Sequence, residues 1–185
     1  YGGTALAVQL AWNMASRGPR VGFFSLETSA RKLADRVVAQ RARVELSRIK
    51  HKDLTEHDFG DVAAVGGATS RMCFGITEAA GFGVPELRAV TLANRYDVIF
   101  IDYVQLLKAE GRERWEIVTK ISMELHTLAQ QLGVAVIALS QLTPPDKTKG
   151  ARRAPSRDDL RESRQLKQDA DVILLMSLDD PEEND

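Results

Sequence analysis

A single cysteine in 185 residues cannot form an internal disulfide, and this one, Cys73, sits among apolar neighbours, where a packed core thiol is expected. Histidine is nearly as scarce. His51, His57 and His126 lie far apart, with no cysteine or carboxylate at metal-ligand spacing, so nothing points to zinc chemistry. No apolar run approaches the roughly 20 residues that cross a bilayer, and the first residues lack the charged-then-apolar order of a secretory leader. The expectation is a soluble, cytoplasmic protein with no membrane partner. Net charge is also nearly absent, at -1, which argues against a uniformly basic nucleic-acid binder. That balance hides an asymmetry. Lys147, Lys149, Arg152, Arg153, Arg157, Arg161, Arg164 and Lys167 crowd between Gln141 and Gln168, whereas residues 179–185 are acidic.

Hydrophobic residues make up 44% of the chain, enough for one domain with a sizeable core. Three apolar runs each stop on a polar residue: Phe23-Phe24-Ser25-Leu26-Glu27, Val98-Ile99-Phe100-Ile101-Asp102, and residues 134–141, which end on Gln141. Short, continuous, β-branched runs suit strands buried on both faces of a parallel sheet, where ligands bind beyond the carboxyl ends of the strands. Glu27, Asp102 and Gln141 are therefore expected on one rim. Residues 172–176 read as a further strand, and residues 72–76 as a weaker one.

Between these runs lie helical patterns. Residues 4–16 have helical apolar spacing and stop at Arg17-Gly18-Pro19. Residues 30–44 read as a second helix, and Thr55-Glu56-His57-Asp58 as a capping box opening a third that fades at Gly66-Gly67. Pro85 opens another, running to Arg95. Residues 115–132 form a long amphipathic one closed by Gly133. The alternation predicts an α/β domain with a mostly parallel, twisted sheet flanked by helices. Residues 144–156, rich in proline, glycine and charge, read as a long loop.

Tyr1-Gly2-Gly3-Thr4 runs straight into a helix and matches the end of the phosphate loop Gly-x-x-x-x-Gly-Lys-Ser/Thr, in which backbone amides cradle phosphates, lysine meets the β/γ oxygens and the hydroxyl binds magnesium. Gly2 and Thr4 fit their places; Gly3 stands where lysine belongs. Each motif also has a plain reading. Gly-Gly-Thr is a common helix start, Asp102 could cap a turn, Glu27 could favour the start of the next helix beside Thr28 and Ser29, and Gln141 could be an ordinary loop residue. Asp102 after Val-Ile-Phe-Ile has the form of a Walker B carboxylate, which holds a magnesium site in phosphoryl-transfer enzymes.

Four segments, in order, resemble the RecA-like motor domain of DnaB-family replicative helicases: Phe24-Ser25-Leu26-Glu27, Ile101-Asp102-Tyr103-Val104-Gln105-Leu106, Ala138-Leu139-Ser140-Gln141-Leu142, and Asp159-Leu160-Arg161-Glu162-Ser163 with Gln168-Asp169-Ala170-Asp171. The resemblance implies a RecA-like P-loop NTPase fold over residues 1–185, as one domain shortened at both ends. It implies ATP and Mg2+ as cofactors, Glu27 as the general base, Asp102 as the magnesium-site carboxylate, Thr4 as a magnesium ligand and Gln141 as a γ-phosphate sensor. It places Arg161, Glu162, Ser163 and Arg164 at single-stranded DNA, and implies a homo-oligomeric, hexameric ring with primase and a helicase loader as partners. Arg164 stands where the family pattern has glycine. The arginine finger and the primase-interacting domain of the family lie outside these residues. Gly3 keeps a second reading open, a nucleotide-binding or ring-assembly module with impaired catalysis; a third is another RecA-like ATPase, against which the Arg-Glu-Ser and Gln-Asp-Ala-Asp wording speaks.

Overall fold

A computed structural model describes residues 2–141 and 164–176. Its centre is a four-stranded, all-parallel sheet in the order β2-β1-β3-β4, with β1 at Val21–Ser25, β2 at Phe74–Glu78, β3 at Val98–Asp102 and β4 at Ala135–Ala138. The helices are α1 (Gly3–Ala15), α2 (Ala30–Ala42), α3 (Leu46–His51), α4 (Glu56–Thr69), α5 (Val84–Asn94), α6 (Arg114–Leu132) and α7 (Arg164–Asp169), with a single 3-10 turn at Val104–Leu106.

Alternate side chains of the strands feed two separate cores. Val21, Phe23 and Phe100 pack under α1 and α2 with Ala7, Val8, Ala11 and Leu33, and the Phe23 and Phe100 rings stack with centroids 5.9 Å apart. Phe24, Ile99 and Ile101 face the other way, against Leu87 of α5 and Ile121, Leu125 and Leu128 of α6. Burial on both faces explains why β1 and β3 are apolar throughout rather than alternating. On the α5–α6 side, Gly22 and its register partner Gly75 make a slot for the Tyr96 ring. A Cβ at Gly22 would lie 2.5 Å from Tyr96 Cδ2, and one at Gly75 would collide with the Tyr96 hydroxyl. Burial in this slot pushes the Tyr96 phenol above its ordinary pKa.

A smaller cluster of Ala42, Val44 and Val65 joins α2, α3 and α4. The expected capping box is present: the Asp58 amide donates to Thr55 Oγ1 at 3.2 Å and the Thr55 amide to Asp58 Oδ2 at 2.8 Å. Arg48 of α3 pairs with the same carboxylate, tying the two helices together. Gly133 closes α6 in the left-handed conformation, φ 63°, where glycine carries no steric penalty. Cys73 is half-buried against the α5–α6 core.

Four expectations need correction. Helix α4 passes through Gly66 and Gly67 to Thr69, because its cap and the packing of Val62 and Val65 outweigh two weak helix formers. Strand β2 is shifted to Phe74–Glu78, which brings Glu78 to the rim. Helix α3 carried no recognised periodic signal. Residues 172–176 form no strand: they are irregular, with Val172 74% and Leu174 78% exposed, and among the described residues nothing pairs with the outer edge of β4. Apolar composition favours a strand only where a sheet edge supplies the partner.

Candidate functional site

In sequence the chain moves from β1 outward to β2, then returns past β1 to β3 and on to β4, so the strand order reverses between β1 and β3. In open α/β sheets this reversal leaves a crevice beyond the carboxyl ends of the two strands, because the connecting helices leave in opposite directions. Ser25 and Asp102 are register partners across that point, and Ser25 pairs on its other side with Glu78. Helix α1 begins at Gly3, so its unpaired amides and the positive end of its dipole serve the same region.

Two of the sequence-predicted residues meet directly. Thr4 Oγ1 donates to Asp102 Oδ2 at 2.8 Å, joining positions 98 residues apart. Asp102 is only 7% exposed. Burial pushes its carboxyl above the ordinary carboxylate range; the Thr4 hydrogen bond opposes this, the Glu27 carboxylate adds to it, and Arg36 opposes it. The reading of Asp102 as a local turn cap does not hold, since its hydrogen bond spans the fold.

Glu27 lies two residues beyond β1, exposed and close enough to act on Asp102 electrostatically. The capping role open to Glu27 is filled by others. Ser29 Oγ accepts the Lys32 amide at 3.4 Å, and Glu78 Oε1 accepts the Ala30 amide at 2.8 Å, so α2 is capped without Glu27. Glu78 does not stand out in the sequence, because the apolar signal of its strand stops at residue 76 and β2 itself runs two residues further.

Gln141 lies beyond β4, one strand further from the crevice centre, and is exposed. Its backbone is held by Gln105, a residue present in a recognised segment but given no role there: Gln105 Nε2 donates to the Gln141 carbonyl at 3.0 Å. Gly2 is exposed and Gly3 half-buried at the start of α1. A Cβ added at Gly3 would meet Leu139 Cδ2 at 3.8 Å, an ordinary contact, so a side chain can begin there without a clash at its first carbon. Arg164 is exposed at the start of α7, on an element that packs against α6 rather than at the Thr4–Asp102 pair. Arg161, Glu162 and Ser163 lie outside the described residues.

Asp169, in the Gln-Asp-Ala-Asp segment, accepts a hydrogen bond from the buried Ser122 hydroxyl at 2.7 Å and so docks α7 on α6. The groove between α5 and α6, about 660 Å³ and lined by Pro85, Trp115 and Met123, lies on a sheet face away from these residues. No helix among the described residues is long and apolar enough to cross a membrane.

A hydroxyl and a buried carboxylate at a helix N-terminus, set in the crevice of a parallel sheet, define a P-loop-type nucleotide-binding domain. The chain belongs to the DnaB-like helicase C-terminal domain family, whose profile matches residues 1–185. It is 34% identical to the replicative DNA helicase DnaC of Bacillus subtilis, over 97% of this chain and 41% of that protein. It is also 34% identical to a probable plasmid replicative DNA helicase of Chlamydia trachomatis, over 95% of this chain and 40% of the relative. The chain thus spans about two fifths of the length of these relatives. Among solved structures, it superposes on a DnaB-like replicative helicase studied for its interactions with primase, with a TM-score of 0.84 at 32% identity, covering 92% of this chain and 43% of the other. On a second solved protein, described as an ATPase domain, the TM-score is 0.85 at 32% identity, covering 92% and 63%. The fold is RecA-like.

Proposed function

We propose that this chain is the ATP-driven motor domain of a replicative DNA helicase, turning over ATP at the Thr4–Asp102 site and coupling it to movement along single-stranded DNA. The observation that carries this reading is the 2.8 Å bond between Thr4 at the start of α1 and Asp102 at the end of β3, in a member of the DnaB-like family. A magnesium ion accompanying ATP suits these groups. Both offer hard oxygen donors, and burial together with the Glu27 carboxylate disfavours the charged form of Asp102 despite Arg36, a cost that a divalent cation at the site would offset. Thr4 and Asp102 would hold it, and when bound it neutralises phosphate charge.

The chain's own groups divide the remaining work. The α1 amides bind phosphate oxygens, Glu27 orients a water and accepts its proton, and Gln141 reads the terminal phosphate. With lysine at position 3, Glu27→Gln should preserve ATP binding and slow turnover by about 10²- to 10⁴-fold, the usual yield of a general base. Undiminished hydrolysis would remove Glu27 from that role. Arg161, Glu162, Ser163 and Arg164 are the proposed DNA contacts, within a homo-hexameric ring in the cytoplasm that has primase and a loader as partners. Phosphate contact of this kind weakens steeply with salt and ignores base sequence, so Arg164→Ala should flatten the salt slope of single-strand binding without selecting among sequences.

A second reading, a nucleotide-binding module with impaired catalysis, is favoured by Gly3. Loss of a comparable electrostatic partner costs about 3–4 kcal/mol of transition-state stabilisation. Titration of a fluorescent ATP analogue with magnesium into the chain and its Gly3→Lys variant tests whether position 3 is where that cation is missing. Tighter binding by the lysine form fits a motor site that lacks one cation here, whereas equal affinity would mean that position 3 has no part in phosphate binding.

A further inference from the structure

The hydrogen-bond ladder between β3 and β4 ends at Leu139. The Leu139 amide donates to the Ile101 carbonyl at 2.9 Å and its carbonyl accepts from the Val104 amide at 2.9 Å. Among the described residues no backbone rung continues beyond it, because the chain after β3 turns into the Val104–Leu106 3-10 helix. The next rung is supplied by a side chain. Gln105 Oε1 accepts from the Gln141 amide at 3.3 Å while its Nε2 donates to the Gln141 carbonyl at 3.0 Å and to Ser140 Oγ at 2.8 Å. A glutamine side chain ends in the same amide group as the backbone, so it can take the place of a peptide unit in a strand pair. Ser140 and Gln141 thereby stay attached to the segment that begins with Asp102, three residues before Gln105.

We infer that Gln105 is a positioning residue: its side-chain amide extends the sheet by one rung and holds Gln141 at a fixed place beyond the end of β4, on the same rim as Asp102, so that terminal-phosphate recognition at Gln141 depends on it. This inference rests on the reading of Gln141 as the residue that senses the terminal phosphate. Gln141 is exposed, and among the described residues its backbone is held by side-chain hydrogen bonds, from Gln105 on both its amide and its carbonyl and from Ser140 Oγ on the carbonyl.

The test is the ratio of ATP-analogue to ADP affinity with magnesium, measured in the Gly3→Lys chain and repeated in the chain as it stands. Gln105→Ala removes the side-chain amide, and Gln105→Met keeps the volume without the hydrogen bonds. Each should lower the ratio about five- to tenfold, the scale of one or two net hydrogen bonds, with ADP affinity and thermal midpoint unchanged. Gln141→Ala should lower it to the same extent, and the Gln105→Ala/Gln141→Ala double variant should fall no further, as expected of two residues acting through one contact. Gln131→Ala, which removes a remote side-chain bond to Arg88, should leave the ratio unchanged. If Gln141→Ala lowers the ratio but the Gln105 variants do not, if the two effects add, or if ADP affinity falls equally, Gln105 has no positioning role while the sensor reading stands. If Gln141→Ala itself leaves the ratio unchanged, the sensor reading fails and the inference fails with it.

Discussion

Strands β3 and β4 lie side by side, yet their polar ends are held in place by different means. Along β3, Ile99, Phe100 and Ile101 are fully buried, and Asp102 follows them into a packed position where Thr4 reaches it. Along β4, Ala135 and Ala138 are exposed and Val136 and Ile137 half-buried, and Gln141 beyond them is held through its backbone by one glutamine side chain. At the centre of the sheet the core places the chemistry, and the charged group bears a desolvation cost for it. At the edge, polar contacts place it, and the group stays wet and adjustable. On the roles proposed for Asp102 and Gln141, an acid that keeps one position and a residue that responds to a changing ligand make opposite demands, and the two strands meet them separately.

The largest expected effect is on the core. Phe100→Ala removes a fully buried, stacked ring and should destabilise the chain by about 3–5 kcal/mol. Ile137→Ala on the half-buried β4 should cost nearer 2 kcal/mol, the low end of the range for such truncations. Urea unfolding of both variants measures the difference, and equal losses would break the contrast between centre and edge.

A middle-sized effect concerns Asp102. Because burial raises its folded-state pKa, the native chain keeps this proton to higher pH than the unfolded chain does, and stability falls as pH rises from the ordinary carboxylate range through the raised value. Asp102→Asn keeps an acceptor for Thr4 and removes the buried charge. It should stabilise the nucleotide-free chain by about 1 kcal/mol at pH 7, and that gain should vanish once the pH falls below the ordinary carboxylate range. A loss of stability at pH 7 would mean that the crevice favours the charged form.

The smallest effect sharpens the comparison at single-amide resolution. Hydrogen exchange at Leu139, bonded to the Ile101 backbone, should approach the protection of the sheet. Exchange at Gln141, bonded to a side chain, should be slowed only about tenfold relative to an open amide. Gln105→Ala should remove the second protection and leave the first.

Much of this was legible in the sequence, and the exceptions have physical causes. β1 and β3 announced themselves because burial on both faces forbids polar residues within them, and their last polar residues then stood out. Thr4 and Asp102 stood out separately, through the phosphate-loop and Walker B patterns, whereas the hydrogen bond that joins them is visible only in the fold. Glu78 escaped because β2 is half-exposed, and its residues carry a weaker apolar signal than those of the central strands. Gln105 escaped because its role is to bond the backbone of a neighbouring strand, which leaves no trace in spacing or periodicity. Residues 172–176 misled for the converse reason: their composition suits a strand, but no sheet edge among the described residues receives them. Helix α7 is one and a half turns of polar chain, and its position depends on Leu166 packing and the Ser122–Asp169 bond rather than on its own pattern.

The Tyr96 slot also constrains how this chain can change over time. Positions 22, 75 and 96 belong to three different segments, yet the two glycines are the negative image of one ring. A methyl group at either glycine is blocked while the tyrosine is present, and a smaller residue at 96 leaves a void that neither glycine can fill. Single substitutions at these sites are therefore closed in both directions, and only a concerted change opens an alternative. The trio behaves as one heritable unit, in which the effect of any substitution is set by the other two residues.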